Sequence, residues 1–167
     1  FVKNTYIGRT FIKPGQKSRE NSVQVKLNAI REAVDGKRIV MIDDSIVRGT
    51  TSDRIVRMLR DAGAKEVHIR PACPPLLYGC KYLNFSRSTS EMDLIGRRIL
   101  KDLEREGRFT RLEAYSDPET EEYQEMVKRI GEQLNFTSLR YHRLDDMIES
   151  VGIDRCKLCT YCWDGKE

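Results

Sequence analysis

The sequence lacks a long hydrophobic run. None of its 167 residues falls in an apolar segment long enough to cross a bilayer as a helix, and the first residues do not form the charged start and apolar middle of a signal peptide. Internal repeats and low-complexity segments are also missing. We therefore expect a cytoplasmic protein with no membrane partner. The chain opens on Phe1 rather than methionine, which predicts a piece of a larger protein.

Histidine is scarce, and charge of one sign does not dominate. His68 and His142 have no partners at metal-ligand spacing, so we expect structural roles for both. The 30 basic and 26 acidic residues give a net charge of +4, and no segment carries a concentrated basic stripe. This pattern predicts no nucleic-acid partner. The 39% hydrophobic and 34% charged residues suit one globular domain with a charged surface.

Short apolar runs around an amphipathic segment predict a parallel sheet. Residues 38–43, "RIVMID", form a continuous apolar run, as expected for a strand buried on both faces. An amphipathic helix over 55–62, ended by Gly63, leads to a second strand over 65–72. Strand, helix and strand within about 35 residues form a βαβ unit, so the predicted fold class is α/β.

Further elements are predicted from apolar spacing and from helix-end residues. A helix before the first strand is indicated by apolar residues at helical intervals, followed by a stop at "DGK": Val23, Leu27, Ile30 and Val34. In the second half of the chain we expect a helix capped by Ser90 and another with Pro118 in its first position, after Asp117. A strand around Leu139–Tyr141 and a helix over Leu144–Val151, stopped by Gly152, are expected to follow. We expect the helices over 100–135 to pack on the surface or on another subunit.

The segment "MIDDSIVRGTTSD", residues 41–53, places two acids at the end of the first strand and a hydroxyl-rich turn before a helix. Ligands bind beyond the carboxyl ends of parallel strands, and a helix N-terminus attracts phosphate. Asp43 and Asp44 would repel phosphate, but they suit sugar hydroxyls or Mg²⁺. The alternative is that the acids decorate a strand end and that a hydroxyl caps the helix. The P-loop pattern is absent, so a nucleoside triphosphatase is not supported.

Together with "VKNTYIGRTFI" upstream and "SVQVKLNAI" between them, this segment resembles the phosphoribosyl pyrophosphate (PRPP) motif of type I phosphoribosyltransferases, and within them the amidophosphoribosyltransferase family. The resemblance implies part of a type I phosphoribosyltransferase fold, a Rossmann-like parallel sheet with a C-terminal helical extension. It divides the chain into a transferase portion over 1–82, a helical insertion over 83–154 and a cysteine-rich tail over 155–167.

The resemblance also implies a role for individual residues. Asp43 and Asp44 would hold the ribose hydroxyls and help to place Mg²⁺. The 5-phosphate would lie in the loop of Ser45, Ile46, Val47, Arg48, Gly49, Thr50 and Thr51. A lid over residues 3–11 would close on PRPP through Lys3, Tyr6 and Arg9, while Arg19 and Lys26 would reach the pyrophosphate.

Five cysteines occur without any sign of secretion, so a disulfide framework is not expected. "CKLCTYCW" holds Cys156, Cys159 and Cys162 at C-x₂-C-x₂-C spacing, which is typical of iron–sulfur or zinc sites, although a metal-free role stays open. Cys80 could add a fourth ligand only if the C-terminus folds back across its loop. Cys73 follows an apolar strand and is expected in the core.

For these cysteines the family resemblance implies a [4Fe–4S] cluster held by Cys80, Cys159 and Cys162, with Cys156 as an alternative ligand. It places the family's remaining ligand upstream of the PRPP motif. The cluster is therefore predicted to be incomplete in this chain.

The resemblance implies the transferase portion of an enzyme that makes 5-phosphoribosylamine from PRPP and glutamine-derived ammonia, the first step of purine synthesis. We expect the chain to lack the glutaminase domain, to be inactive alone, and to form a homo-oligomer as the full-length enzyme. One alternative is a PRPP-sensing regulatory module that has lost catalysis. Another is a separate iron–sulfur or zinc protein.

Overall fold

The computed structural model describes residues 2–3, 27–82, 91–107 and 111–166. Two short strands, β1 (Val2–Lys3) and β2 (Leu27–Asn28), pair antiparallel. Three strands form a parallel sheet in the order β3, β4, β5, with bounds Arg38–Asp43, Glu66–Pro71 and Ser138–Leu139. The α-helices are α1 (Arg31–Val34), α2 (Thr50–Asp61), α3 (Ile95–Arg105), α4 (Glu121–Gln133), α5 (Leu144–Val151) and α6 (Tyr161–Asp164). Short 3₁₀ turns span Glu91–Asp93, Leu112–Ser116 and Arg155–Lys157.

The predicted βαβ unit is confirmed. β3 and β4 run parallel in register from Arg38 opposite Glu66 to Asp43 opposite Pro71, and α2 connects them. Gly63 follows α2 with φ of 95°, the left-handed conformation that glycine adopts without a steric penalty. Helix α5 has the predicted bounds, and Gly152 ends it at φ of 70°. None of the helices in the described ranges is long and apolar enough to cross a membrane.

The sheet buries one face, which corrects the prediction that β3 is buried on both. Val67 and Ile69 of β4 are fully buried in the core. The opposite face of β3 is open, because Val40 and Ile42 are 62% and 78% exposed. The helices α2, α3 and α4 contribute to the core that lies against Val67 and Ile69. An apolar strand run therefore identified the strand but not how many of its faces are covered.

The helix predicted from Val23 to Val34 is wrong in its described part. Leu27–Asn28 is a strand paired with Val2–Lys3, and helix α1 is only four residues long, Arg31–Val34. Val23 lies outside the described residues. A backbone pairing between segments more than 20 residues apart overrides local apolar spacing, because spacing carries no information on distant partners.

Two helices begin later than predicted. Helix α3 begins at Ile95 with Leu94 at its N-cap, and not at Ser90, which lies outside the described residues. Helix α4 begins at Glu121, because the Thr120 hydroxyl accepts a hydrogen bond from the Tyr123 amide at 3.2 Å.

The second half of the chain belongs to the same core. Ile99, Leu103, Tyr115, Met126 and Ile130 are at most 4% exposed and pack in one cluster with the residues of β4 and α2. Helices α3 and α4 therefore bury one face in this shared core and leave the other face exposed. The division of the chain at residue 82 and the packing of these helices on another subunit stay predictions.

Candidate functional site

The acid pair lies at the carboxyl end of β3, as the sequence predicted. The Asp43 carbonyl accepts a hydrogen bond from the Ala72 amide at 2.9 Å, and its carboxylate accepts one from the Asp44 amide at 3.0 Å. The Asp44 carboxylate accepts a bond from the Ser45 hydroxyl at 3.0 Å. Burial raises the pKa of the Asp43 carboxyl, and the negative charge of Asp44 raises it further. The hydrogen bond from the Asp44 amide lowers this pKa, but by less. Two acids held in this way would gain from a bound cation.

The loop after the acid pair ends at a helix whose N-terminus has no side-chain cap. Gly49 occupies the N-cap of α2 with φ of 78°, and its carbonyl accepts the Asp53 amide at 2.9 Å. Because glycine has no side chain to offer, the amides of the first turn receive no cap from it. Such a turn is suited to an anion, through its amides and the helix dipole.

Gly49 is also required by packing. A methyl group at this position would lie 2.8 Å from Cδ1 of Ile95 and 3.0 Å from Cδ2 of Leu134. Both side chains are buried, at 2% and 5% exposure, so neither can move aside freely. The loop therefore rests directly on α3 and on the residue that ends α4.

Residues around the start of α3 hold the loop backbone in place. The Val47 carbonyl accepts the Ile95 amide at 2.9 Å, and the Arg48 carbonyl accepts Nη2 of Arg98 at 2.7 Å. The Arg48 side chain itself pairs with Asp93 at 3.1 Å. These bonds come from a segment that the sequence analysis assigned to a separate insertion. Pre-ordering of a binding loop reduces the entropy that a ligand must overcome.

The other predicted binding residues take different positions. Ile46 is 2% exposed and belongs to the core, so its side chain is not available to a ligand. Thr50 and Thr51 are half-buried in the first turn of α2. Lys3 lies in β1, opposite Leu27. Tyr6, Arg9, Arg19 and Lys26 lie outside the described residues.

The C-terminal tail folds back onto the loop that carries Cys80. The amides of Leu77 and Tyr78 both donate to the Cys162 carbonyl, at 3.0 and 3.1 Å. The rings of Tyr78 and Tyr161 lie 5.5 Å apart, and Nζ of Lys81 lies 4.3 Å from the centre of the Tyr161 ring. This meets the geometric condition under which Cys80 could join the late cysteines.

Four cysteines line one cavity of about 410 Å³ between this loop and the tail: Cys80, Cys156, Cys159 and Cys162. Burial raises the pKa of the Cys162 thiol to about 12, and the neighbouring Cys80 and Cys159 add to the effect. In the described part of the chain, no three His, Cys, Asp or Glu side chains are positioned to hold a metal ion. Cysteine thiolates are donors for both iron–sulfur clusters and zinc ions.

Sequence reasoning missed the residues that hold the tail. Thr160 is 6% exposed, and its hydroxyl donates a hydrogen bond to the Asp164 carboxylate at 3.1 Å. The same carboxylate pairs with Arg155 at 3.2 Å. Gly165, at φ of 72°, leaves no room for a side chain, because an added methyl would lie 2.7 Å from the Tyr78 ring. The glycine three residues after the last cysteine was the one available signal.

The histidines and Cys73 make structural contacts. His68 lies 2.9 Å from both Glu66 and Ser138, and Nδ1 of His142 lies 3.1 Å from the Ala72 carbonyl. Cys73 is 9% exposed, and its burial, together with repulsion from the acid pair, raises its pKa to about 11.

A parallel sheet with an acid pair at the end of β3, followed by a glycine-bounded loop and an uncapped helix, defines a phosphoribosyltransferase-type α/β domain. No family model matches the chain. The amidophosphoribosyltransferase of Bacillus subtilis is 50% identical over 169 residues, and that of Methanothermobacter thermautotrophicus is 38% identical over 164. These alignments cover 99% and 98% of the chain, but only 30% and 29% of the relatives.

A solved structure supports the same relationship. The glutamine PRPP amidotransferase of B. subtilis, complexed with ADP and GMP, matches with a TM-score of 0.66 and 36% identity, over 99% of this chain and 31% of that one. The chain is therefore homologous to amidophosphoribosyltransferases, and it corresponds to their C-terminal phosphoribosyltransferase part. It spans about three-tenths of the length of these relatives.

Proposed function

We propose that the chain supplies the PRPP-binding part of an amidophosphoribosyltransferase. In this reaction the nitrogen of ammonia, released from glutamine, forms a bond to C1 of the ribose. The bond from C1 to the pyrophosphate oxygen breaks, pyrophosphate leaves with the electron pair, and the nitrogen loses a proton. The product is 5-phosphoribosylamine. The glutaminase domain, a homo-oligomeric full-length enzyme and the cytoplasmic location remain predictions.

Asp43 and Asp44 are proposed to bind the ribose hydroxyls and Mg²⁺. The support is their position at the carboxyl end of β3 and the raised pKa of Asp43, which indicates a carboxylate whose charge is poorly compensated. When bound, Mg²⁺ would neutralise charge on the oxygens of PRPP. The two carboxylates would orient the sugar and hold its ring in place.

The loop from Ser45 to Thr51 is proposed to hold the 5-phosphate. Its support is the uncapped first turn of α2 and the hydroxyls of Thr50 and Thr51. Ile46 would contribute through its backbone alone, because its side chain is in the core. Val47 and Arg48 have their carbonyls bonded to Ile95 and Arg98, which fixes the loop before a ligand arrives.

Lys3, Tyr6, Arg9 and Lys26 are proposed as contacts of a lid over bound PRPP. This role rests on the "VKNTYIGRTFI" motif and on the charge of the side chains. Cationic groups would stabilise the departing pyrophosphate, and closure would exclude water, which otherwise competes with ammonia for C1.

We also propose that Cys80, Cys159 and Cys162 bind a [4Fe–4S] cluster. The cavity that they share and the docking of the tail on the Cys80 loop support it. The cluster would join the tail to the domain, and none of the steps above passes through it.

The acid pair at the end of β3, beside the uncapped helix, carries this proposal, and substitution tests it. We expect Asp43→Asn and Asp44→Asn to weaken Mg²⁺-dependent PRPP binding by at least tenfold, because each removes a charged ligand. Asp61→Asn, at the far end of α2, serves as a matched control with the same charge change and should bind as the unmodified chain does. Equal affinity in all four proteins, measured by calorimetry, would refute the assignment.

A further inference from the structure

We propose that Arg98 is a positioning residue for the 5-phosphate of PRPP: from α3 it clamps the loop of residues 45–51 and supplies that loop with a positive charge. The inference rests on the proposed function and extends it to a residue outside the "DDSIVRGTT" motif. Arg98 lies in the first turn of α3, 50 residues after Arg48 along the chain.

The Arg98 guanidinium joins two backbone segments at once. Its Nη2 donates to the Arg48 carbonyl at 2.7 Å, and its Nη1 donates to the Asp93 carbonyl at 3.3 Å. A guanidinium holds its donors in a rigid planar fork, so the two bonds set the position of the loop relative to the 3₁₀ turn before α3. The Ile95 amide, which donates to the Val47 carbonyl at 2.9 Å, ties the adjacent peptide to the same helix.

This clamp fixes the direction of two loop amides. In a trans peptide, the carbonyl of one residue and the amide of the next point in opposite directions. Because the carbonyls of Val47 and Arg48 are held against α3, the amides of Arg48 and Gly49 point away from that helix. Neither amide has a hydrogen-bond partner within the described ranges. Both donors are therefore available to an anion, and the clamp keeps them in that orientation.

The charges at this junction also favour an anion. The Arg48 guanidinium pairs with the Asp93 carboxylate at 3.1 Å, which compensates its charge. Both bonded nitrogens of Arg98 instead engage neutral carbonyls, and no carboxylate in the described part of the chain pairs with it. Arg98 is half-buried, so water screens its charge less than at the open surface. One uncompensated positive charge therefore lies beside the loop.

The clamp can be tested without any ligand. Arg98→Met removes both donors and the charge but keeps a long side chain with good helix propensity. Arg105→Met, in the last turn of α3, makes the same change where the side chain is 69% exposed, and it is the matched control. Hydrogen exchange of the Ile95 amide reports loop opening, and we expect it to be about tenfold faster in Arg98→Met and unchanged in the control.

The positioning role is tested by titrating three ligands in Mg²⁺: PRPP, ribose 5-phosphate, and pyrophosphate, which lacks the 5-phosphate. Arg98→Met should weaken PRPP and ribose 5-phosphate by the same factor, about fivefold at low salt, and leave pyrophosphate unchanged. The difference should shrink as added salt screens the lost charge. Arg98→Lys keeps the charge without the fork, so its affinity and its Ile95 exchange rate should lie between the other two. A residue needed only for folding would weaken all three ligands alike and show no such salt dependence.

The outcomes separate this inference from the proposed function. If Arg98→Met binds ribose 5-phosphate as the control does, or weakens all three ligands equally, Arg98 is not a positioning residue, while the assignment of PRPP stands. Unmodified affinity and exchange in Arg98→Lys would overturn the clamp, whether or not Arg98→Met folds. If the unmodified chain binds none of the three ligands, the proposed function and this inference are both wrong.

Discussion

Gly49 lies at the junction between the binding loop, α2, α3 and the end of α4, and its replacement by alanine measures how tightly this junction is packed. The backbone has φ of 78°, where an alanine costs about 1–2 kcal/mol. The added methyl would also press on Ile95 at 2.8 Å and Leu134 at 3.0 Å, and overpacking of a core costs about 1–3 kcal/mol. We expect Gly49→Ala to lower the free energy of unfolding by about 2–5 kcal/mol.

Gly36→Ala provides the matched control. Gly36 has φ of 70°, nearly the same conformation, but an added methyl would meet nothing within 4 Å. It should therefore lose only the conformational part, about 1–2 kcal/mol. Urea unfolding followed by circular dichroism measures both variants against the unmodified chain. If the two variants lose the same stability, the close contact at Gly49 is not tight in solution, and the description of the loop as resting on α3 and α4 is wrong.

Three further predictions concern the tail, the core and the acid pair. Gly165→Ala should undock the tail and reduce iron uptake severalfold, because the methyl would lie 2.7 Å from the Tyr78 ring, whereas Gly152→Ala, at a similar φ with open space, should not. The free energy of unfolding of the reduced, metal-free chain should fall from about pH 9 to about pH 11, because folding holds the protons on Cys73, whose pKa is raised to about 11, and on Cys162, whose pKa is raised to about 12, while the unfolded thiols ionise; Cys73→Ala should reduce this slope in urea titrations without abolishing it. Asp43→Asn should raise the melting temperature without ligand, since it removes a half-buried charge beside another acid, and an unchanged or lower value would contradict the raised pKa.

The centre of the fold could be predicted from the sequence because its signals are local. The apolar run of β3, the amphipathic face of α2 and Gly63 lie within one βαβ unit, so periodicity and a helix stop locate them. The acid pair follows from that prediction, since the end of a parallel strand fixes where the next residues lie.

The rest could not be predicted because it depends on distant contacts. The strand at Leu27–Asn28 exists through pairing with Val2–Lys3. The exposure of Val40 and Ile42 depends on which face the helices cover, and a uniform apolar run does not distinguish the faces. The bonds from Ile95 and Arg98 to the binding loop join segments about 50 residues apart.

The cysteine cavity could be predicted only in part. The C-x₂-C-x₂-C spacing predicted a group of neighbouring thiols, and counting ligands indicated that the tail must reach Cys80 if a fourth thiol is to join them. What the sequence could not show was the docking itself, through the Cys162 carbonyl and the Tyr78 ring, or that Cys156 shares the cavity.

Calorimetric titration of PRPP into the 167-residue chain, with Mg²⁺ and again with a chelator, tests the central claim most directly. The account predicts saturable binding of one PRPP per chain in Mg²⁺, weakened at least tenfold by the chelator, because Asp43 and Asp44 need the cation to approach the ligand. No binding in Mg²⁺, or binding of equal strength in the chelator, would contradict the assignment of the acid pair.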